Sequence, residues 1–142
     1  MYLDSGIIVK LLIREPDSEY FNNSLSGQAL DSSELCLTEV YSALLSKEAA
    51  GHIAKRERQE SWRKFEEIID DEILRLFPLN RKVLDRANGI LHACHPKIRL
   101  RTLDALHVAT CAIHHCEVLC ATDRRMREAG AQLAIALHPP EE

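Results

Sequence analysis

No apolar stretch of the sequence approaches the roughly 20 residues that a membrane-crossing helix needs. The run from Ile7 to Ile13 is among the longest and has Lys10 inside it, so no membrane span is expected. Glycine is also sparse. The five glycines form neither a phosphate-cradling loop nor a dinucleotide fingerprint, which argues against the nucleotide-binding classes built on them. There is no Cys-x-x-Cys pair. His107, Cys111, His114, His115, Cys116 and Cys120 lie close in sequence, but structural zinc sites favour paired ligands at short spacing, so zinc is not expected. An excess of positive charge is missing too: the formal charge of −4 argues against a protein that coats nucleic acid by bulk electrostatics. The opening Met1-Tyr2-Leu3-Asp4 has neither a basic leader nor a small-residue cleavage site, and the expectation is a cytoplasmic protein.

With 46% hydrophobic residues, 142 residues can bury one substantial core, and residues 1–142 are read as a single domain. The cysteines, Cys36, Cys94, Cys111, Cys116 and Cys120, are odd in number and fall mostly in apolar segments, as expected of buried reduced thiols. Short apolar runs alternate with longer stretches of helical period. Strands are expected at Tyr2-Leu3, Leu35-Cys36-Leu37, Ile73 to Phe77, Val118 to Ala121 and Leu133 to Leu137. Helices are expected over Ile7 to Ile13, from Glu15-Pro16-Asp17 to near Gly27, and from a Thr38 cap to about Ala50. Others should cover Lys55 to Asp71, run from an Asn80 cap to about Cys94, from a Thr102 cap to about His115, and from Asp123 to Ala129 with Gly130 as its stop. Strands separated by helices pair in parallel and need helices on both faces, so the fold class is α/β, a sandwich around a mostly parallel sheet.

Ligands of such sheets gather at the carboxyl ends of the strands. Asp4 and Asp123 each follow an expected strand, Glu39 follows Leu35-Cys36-Leu37, and Asp104 opens a helix rich in small residues. A hydroxyl residue stands next to each acid or two positions away: Ser5, Thr38, Thr102 and Thr122. One such pair is ordinary helix capping. Four on one edge are a charge problem, because two carboxylates about 4 Å apart repel by roughly 4 kcal/mol at an effective dielectric near 20. Oxygen-only ligands favour a hard cation, Mg²⁺ or Mn²⁺, beside which a water becomes acidic enough to attack a phosphodiester. Lys97, Arg99 and Arg101 precede Asp104, and Arg124, Arg125 and Arg127 follow Asp123, so basic residues suited to phosphates flank two of the acids.

At these residues the chain resembles a PIN-domain nuclease, and within that family a VapC-type toxin. The matching pieces are Met1 to Ser5 with Ile7 to Leu12, Leu37-Thr38-Glu39-Val40, Leu100 to His107 with Ala109, and Ala121 to Met126. Any one is weak; the ordered set spans nearly the whole chain. The resemblance implies a PIN-like three-layer α/β/α sandwich, with Asp4, Glu39, Asp104 and Asp123 holding Mg²⁺ or Mn²⁺ and cleaving RNA. It further implies a VapB-type antitoxin and a homodimer. Ser5, Thr38, Arg101, Thr122 and Arg124 are the candidates for supporting the acids or positioning substrate. One departure is Gly6, where many relatives carry a second small polar side chain beside the first acid.

Other classes fit less well. Haloacid-dehalogenase-type phosphotransferases need a second Asp two residues after the first, and Gly6 occupies that place. No nucleophile motif accompanies the seven histidines, and His107 reads as a packed or capping-proximal helix residue, with a supporting role behind the acids as the minor option. Two alternatives stand beside the toxin reading: a PIN nuclease of RNA processing outside toxin–antitoxin systems, and a non-catalytic PIN-like binding module. The second expects one or more of the acids to be missing, and all are present.

Overall fold

The computed structural model describes residues 1–140, and its apolar runs and helical stretches alternate as strand and helix. Its strands are β1 (Tyr2–Leu3), β2 (Leu30–Ser33), β3 (Leu74–Phe77), β4 (Val118–Cys120) and β5 (Ala136–His138), all parallel, in the spatial order β3-β2-β1-β4-β5. Its helices are α1 (Ser5–Leu12), α2 (Ser18–Leu25), α3 (Cys36–Ala49), α4 (Lys55–Asp70), α5 (Arg81–Cys94), α6 (Thr102–Ile113) and α7 (Arg124–Gln132). None of these helices is long and apolar enough to cross a membrane.

The two-residue alternation of a strand assigns the layers. In β1, Tyr2 packs with α5, α6 and α7, while Leu3 packs with α1 to α4; in β4, Leu119 and Cys120 divide the same way. Both faces are therefore covered by helices, the arrangement that a parallel sheet requires. On one side Phe21 and Phe65 anchor the layer at 1% and 0% exposure, each contributing about 1.5–3 kcal/mol by burial. On the other, α6 buries the seven residues from Ala105 to Cys111 without interruption. The helix is small enough there to lie close against the sheet and α5.

Several boundaries differ from the sequence reading, each for a physical reason. Leu35-Cys36-Leu37 is not a strand: Leu35 has helical angles, and Cys36, Val40 and Leu44 are buried at fourfold spacing as the inner stripe of α3. The strand is the preceding Leu30-Asp31-Ser32-Ser33, disguised by its serines. Both are fully buried; Ser32 Oγ donates to the Leu3 carbonyl at 2.8 Å, and Ser33 Oγ accepts from the Leu35 N–H at 3.1 Å. Thr38 thus lies inside α3 and caps nothing, and Thr102 is the first residue of α6, whose N-cap Arg101 makes no side-chain cap bond. The second helix starts at Ser18, leaving Pro16 outside it. Gly130 does not stop α7: a Cβ there would stand 2.9 Å from Leu119 Cδ2, so the glycine serves the close approach of helix to sheet. All five cysteines are free thiols, as their apolar settings imply.

Candidate metal centre

Each acid is delivered by a different element. Asp4 is the N-cap of α1, its Oδ1 accepting the Ile7 N–H at 2.8 Å, and its own N–H donates to the Cys120 carbonyl at 3.1 Å. Asp123 caps α7 in the same manner, Oδ1 accepting from Met126 N–H at 2.9 Å. The capping role and a ligand role coexist, because each cap consumes a single carboxylate oxygen. Glu39 lies in the first turn of α3 rather than directly after a strand, and Asp104 in the first turn of α6.

The charges on these side chains act on one another. Burial pushes the Asp4 carboxyl up to about 6; the Ile7 N–H and His107 oppose the rise, and the charges of Asp104 and Glu39 add to it. Asp104 is also raised, first by burial and then by Asp123, with Glu39 adding and His107 and Arg101 opposing. Glu39 goes the other way: burial would raise it, but the hydrogen bond and charge of His107 and the Ser5 hydroxyl hold it below the usual carboxylate range. Asp4 therefore feels the charges of Asp104 and Glu39, and Asp104 those of Asp123 and Glu39.

The supporting residues divide sharply. Ser5 is buried and donates to Glu39 Oε1 at 2.8 Å. Thr38 and Thr122 are exposed, and among the described residues neither makes a side-chain bond to an acid. Arg101 is exposed and near enough to ease the charge of Asp104, whereas Arg124 is engaged with Glu128 at 2.7 Å. Arg125 Nη1 donates to the Arg99 carbonyl at 3.3 Å, bringing the two basic segments together. Arg127 instead bonds the carbonyls of Ala121 and Pro139 and is structural. Gly6 is exposed, and a Cβ on it would stand 3.5 Å from Asp4 Oδ1, an ordinary van der Waals contact, so a small side chain would fit beside that carboxylate.

Two residues matter more here than the sequence suggests: Tyr2, read there as part of a strand, and His107, for which support of the acids is the minor option beside packing. His107 bonds Glu39, Ser5 and Tyr2 rather than merely filling the core, and Tyr2 faces its ring from β1. The available signal was the i, i+3 spacing of Asp104 and His107, which puts both on one face of α6.

The donor set is oxygen-rich and suits a hard cation rather than zinc or copper. Among the described residues no three acidic, imidazole or thiol groups already close on one point. An ion here would touch few carboxylates and keep several waters, as Mg²⁺ does. Two concavities of about 580 and 590 Å³ lie elsewhere, at the β3 edge and beside the α5–α6 loop, and neither is lined by the acids.

A three-layer α/β/α sandwich around an all-parallel five-stranded sheet, with Asp4 following β1 and Asp123 following β4, fits the PIN-like fold. The PIN domain family matches residues 1–132, and the chain belongs to that family. Over 143 residues, covering 99% of this chain and 97% of the relative, it is 36% identical to Ribonuclease VapC46 of Mycobacterium tuberculosis, which makes it a VapC-type member. Among solved structures it is similar to VapBC2 from Rickettsia felis, bound to a DNA fragment from their promoter, with TM-score 0.70, 14% identity and 96% coverage of each chain. It is likewise similar to VapC20 of Mycobacterium tuberculosis, a sarcin-ricin loop cleaving toxin, with TM-score 0.70, 14% identity, and coverage of 91% of this chain and 94% of that one. At these identities the structures speak for the fold.

Proposed function

We propose that the protein is a metal-dependent endoribonuclease and the toxin of a type II toxin–antitoxin pair, with Asp4, Glu39, Asp104 and Asp123 holding Mg²⁺ or Mn²⁺. The observation that carries the reading is that the Asp4 and Asp104 carboxyls are both raised, first by burial and then by neighbouring carboxylates, Asp104 and Glu39 acting on Asp4 and Asp123 and Glu39 on Asp104, a charge that a cation would relieve. RNA as substrate and a VapB-type antitoxin as partner are supported by the names of the VapC-type relatives, and action as a homodimer is part of the proposal on the family resemblance alone.

Bound Mg²⁺ or Mn²⁺ would supply acidification of a water and neutralisation of phosphate charge. The chain's part is orientation. Asp4 and Asp123 each commit Oδ1 to a helix cap, which fixes the carboxylate plane and leaves Oδ2 free in advance of binding. Arg99, Arg101 and Arg125 are exposed beside the acids, where guanidinium groups hold a phosphate backbone without reading its sequence.

The test is cleavage of labelled RNA by purified protein with EDTA, Mg²⁺ or Mn²⁺, alongside Asp4→Asn. Cleavage is expected only with a cation and at least about 100-fold slower in the variant, since a ligand of the ion is lost. Metal-independent cleavage, or an undiminished rate in the variant, overturns the reading. Expression without a partner should arrest growth and Asp104→Asn should relieve the arrest; equal toxicity from the variant counts against it.

A further inference from the structure

His107 is carried by α6 to the strand ends where the acids lie, is 1% exposed, and has both ring nitrogens engaged. Nε2 stands 2.5 Å from Glu39 Oε1 and 3.3 Å from Ser5 Oγ, while the Tyr2 hydroxyl lies 2.7 Å from Nδ1. Ser5 Oγ donates to the same Glu39 Oε1 at 2.8 Å. One carboxylate oxygen therefore takes two bonds, and Oε2 takes none among the described residues. An ionised carboxylate only accepts, so the proton between the rings of this network and Glu39 belongs to Nε2. Tyr2 sits in the middle strand of the sheet and is fully buried, so it fixes the other end of the imidazole against rotation.

Packing alone does not explain this arrangement. The neighbours Leu106, Val108 and Ala109 fill the same layer with apolar atoms. A buried imidazole is tolerated there only because each nitrogen has a partner. Glutamate on an isolated helix turn would sample several rotamers. Here two donors from two other elements, α1 and α6, hold it in one.

We infer that His107, braced by Tyr2, is a positioning residue that fixes Glu39 through Oε1 and thereby presents Oε2 alone to the divalent cation. The inference rests on the cation reading given above and adds the atom by which Glu39 serves it. Groups that orient a metal ligand from behind change metal affinity by about 10- to 100-fold when removed.

The experiment measures Mn²⁺ affinity of the full chain by calorimetric titration for the wild type, His107→Leu, His107→Gln and Tyr2→Phe, together with each thermal midpoint. It is paired with ¹⁵N-histidine NMR of the wild type and Glu39→Gln. His107→Leu should weaken Mn²⁺ binding about 10- to 100-fold, His107→Gln, which restores an N–H donor, should recover most of it, and Tyr2→Phe should fall between. The wild type should show a slowly exchanging Nε2–H signal that moves in Glu39→Gln. Unchanged affinity in His107→Leu, or a folded His107→Gln that binds no better than His107→Leu, overturns the assignment. If His107→Leu does not fold, Tyr2→Phe and the NMR decide: full Mn²⁺ affinity in the first, or no Nε2–H signal in the second, refutes it. A wild type that binds no Mn²⁺ defeats the cation reading and this inference with it, whereas wild-type binding that His107→Leu leaves intact defeats the inference alone.

Discussion

Replacing Asp4 by Asn should stabilise the metal-free protein above neutral pH, although it destroys a proposed metal ligand. Asp4 is 6% exposed and its carboxyl titrates at about 6 instead of the ordinary 3.8. At about 1.4 kcal/mol per pH unit, ionising it costs the folded state about 3 kcal/mol relative to the unfolded chain. The sign follows from proton binding: the native state holds the Asp4 proton more tightly, so this contribution falls as pH rises from about 4 to about 6 and stays lost above it. Asn retains the helix-capping oxygen for the Ile7 N–H, and Asn and Asp are nearly equal as N-caps. Urea unfolding in EDTA should therefore show Asp4→Asn more stable than wild type by up to about 3 kcal/mol at pH 8, with the two converging near pH 4. Addition of Mg²⁺ or Mn²⁺ should raise the wild type and leave the variant unmoved. An Asp4→Asn protein no more stable than wild type at pH 8 would refute the electrostatic account of the site.

Three further outcomes are expected. Phe65→Ala should cost about 3–5 kcal/mol in urea unfolding, because the ring, carried by α4, is fully buried in the layer it shares with α1, α2 and α3; a loss under about 1 kcal/mol would mean that layer is not packed as described. Asn80→Ala removes the side-chain oxygen that accepts the Val83 N–H at 3.2 Å and should cost about 1 kcal/mol by the same assay, with Asn80→Asp close to neutral. Thiol titration of the native protein at pH 8 should give a single fast-reacting cysteine, Cys116, which is half-buried and whose thiol is lowered by its contact with Cys111. Burial pushes Cys36 and Cys120 up to about 12 and keeps them inert, and Cys116→Ser should abolish the fast phase.

The alternation of apolar runs with helical periods was enough to expect a parallel sheet covered on both faces, and Asp4 and Asp123 were placed at strand ends correctly because both are also caps, a role with a local signature. What failed to show locally was set by long-range pairing. β2 was hidden because Ser32 finds the Leu3 carbonyl, a partner 29 residues away. Glu39 was assigned to the right edge through the wrong element, since the apolar triplet before it has the composition of a strand and the period of a helix only when Val40 and Leu44 are counted. For His107 packing outweighed a supporting role, because a histidine among alanines and valines looks like filling until Tyr2 and Glu39, 105 and 68 residues distant, are seen on either side of it.

The pairing of β1 with β4, Leu3 beside Cys120, makes the neighbourhood of Asp4 depend on a segment far along the chain. β1 has no neighbour on that side until β4 has been made, and Asp123 follows β4 in sequence. A chain cut before β4 would therefore keep Asp4, Glu39 and Asp104 but leave the central strand with one open side and lack Asp123. Asp4 and Asp123 can be neighbours only after that long-range pairing has formed.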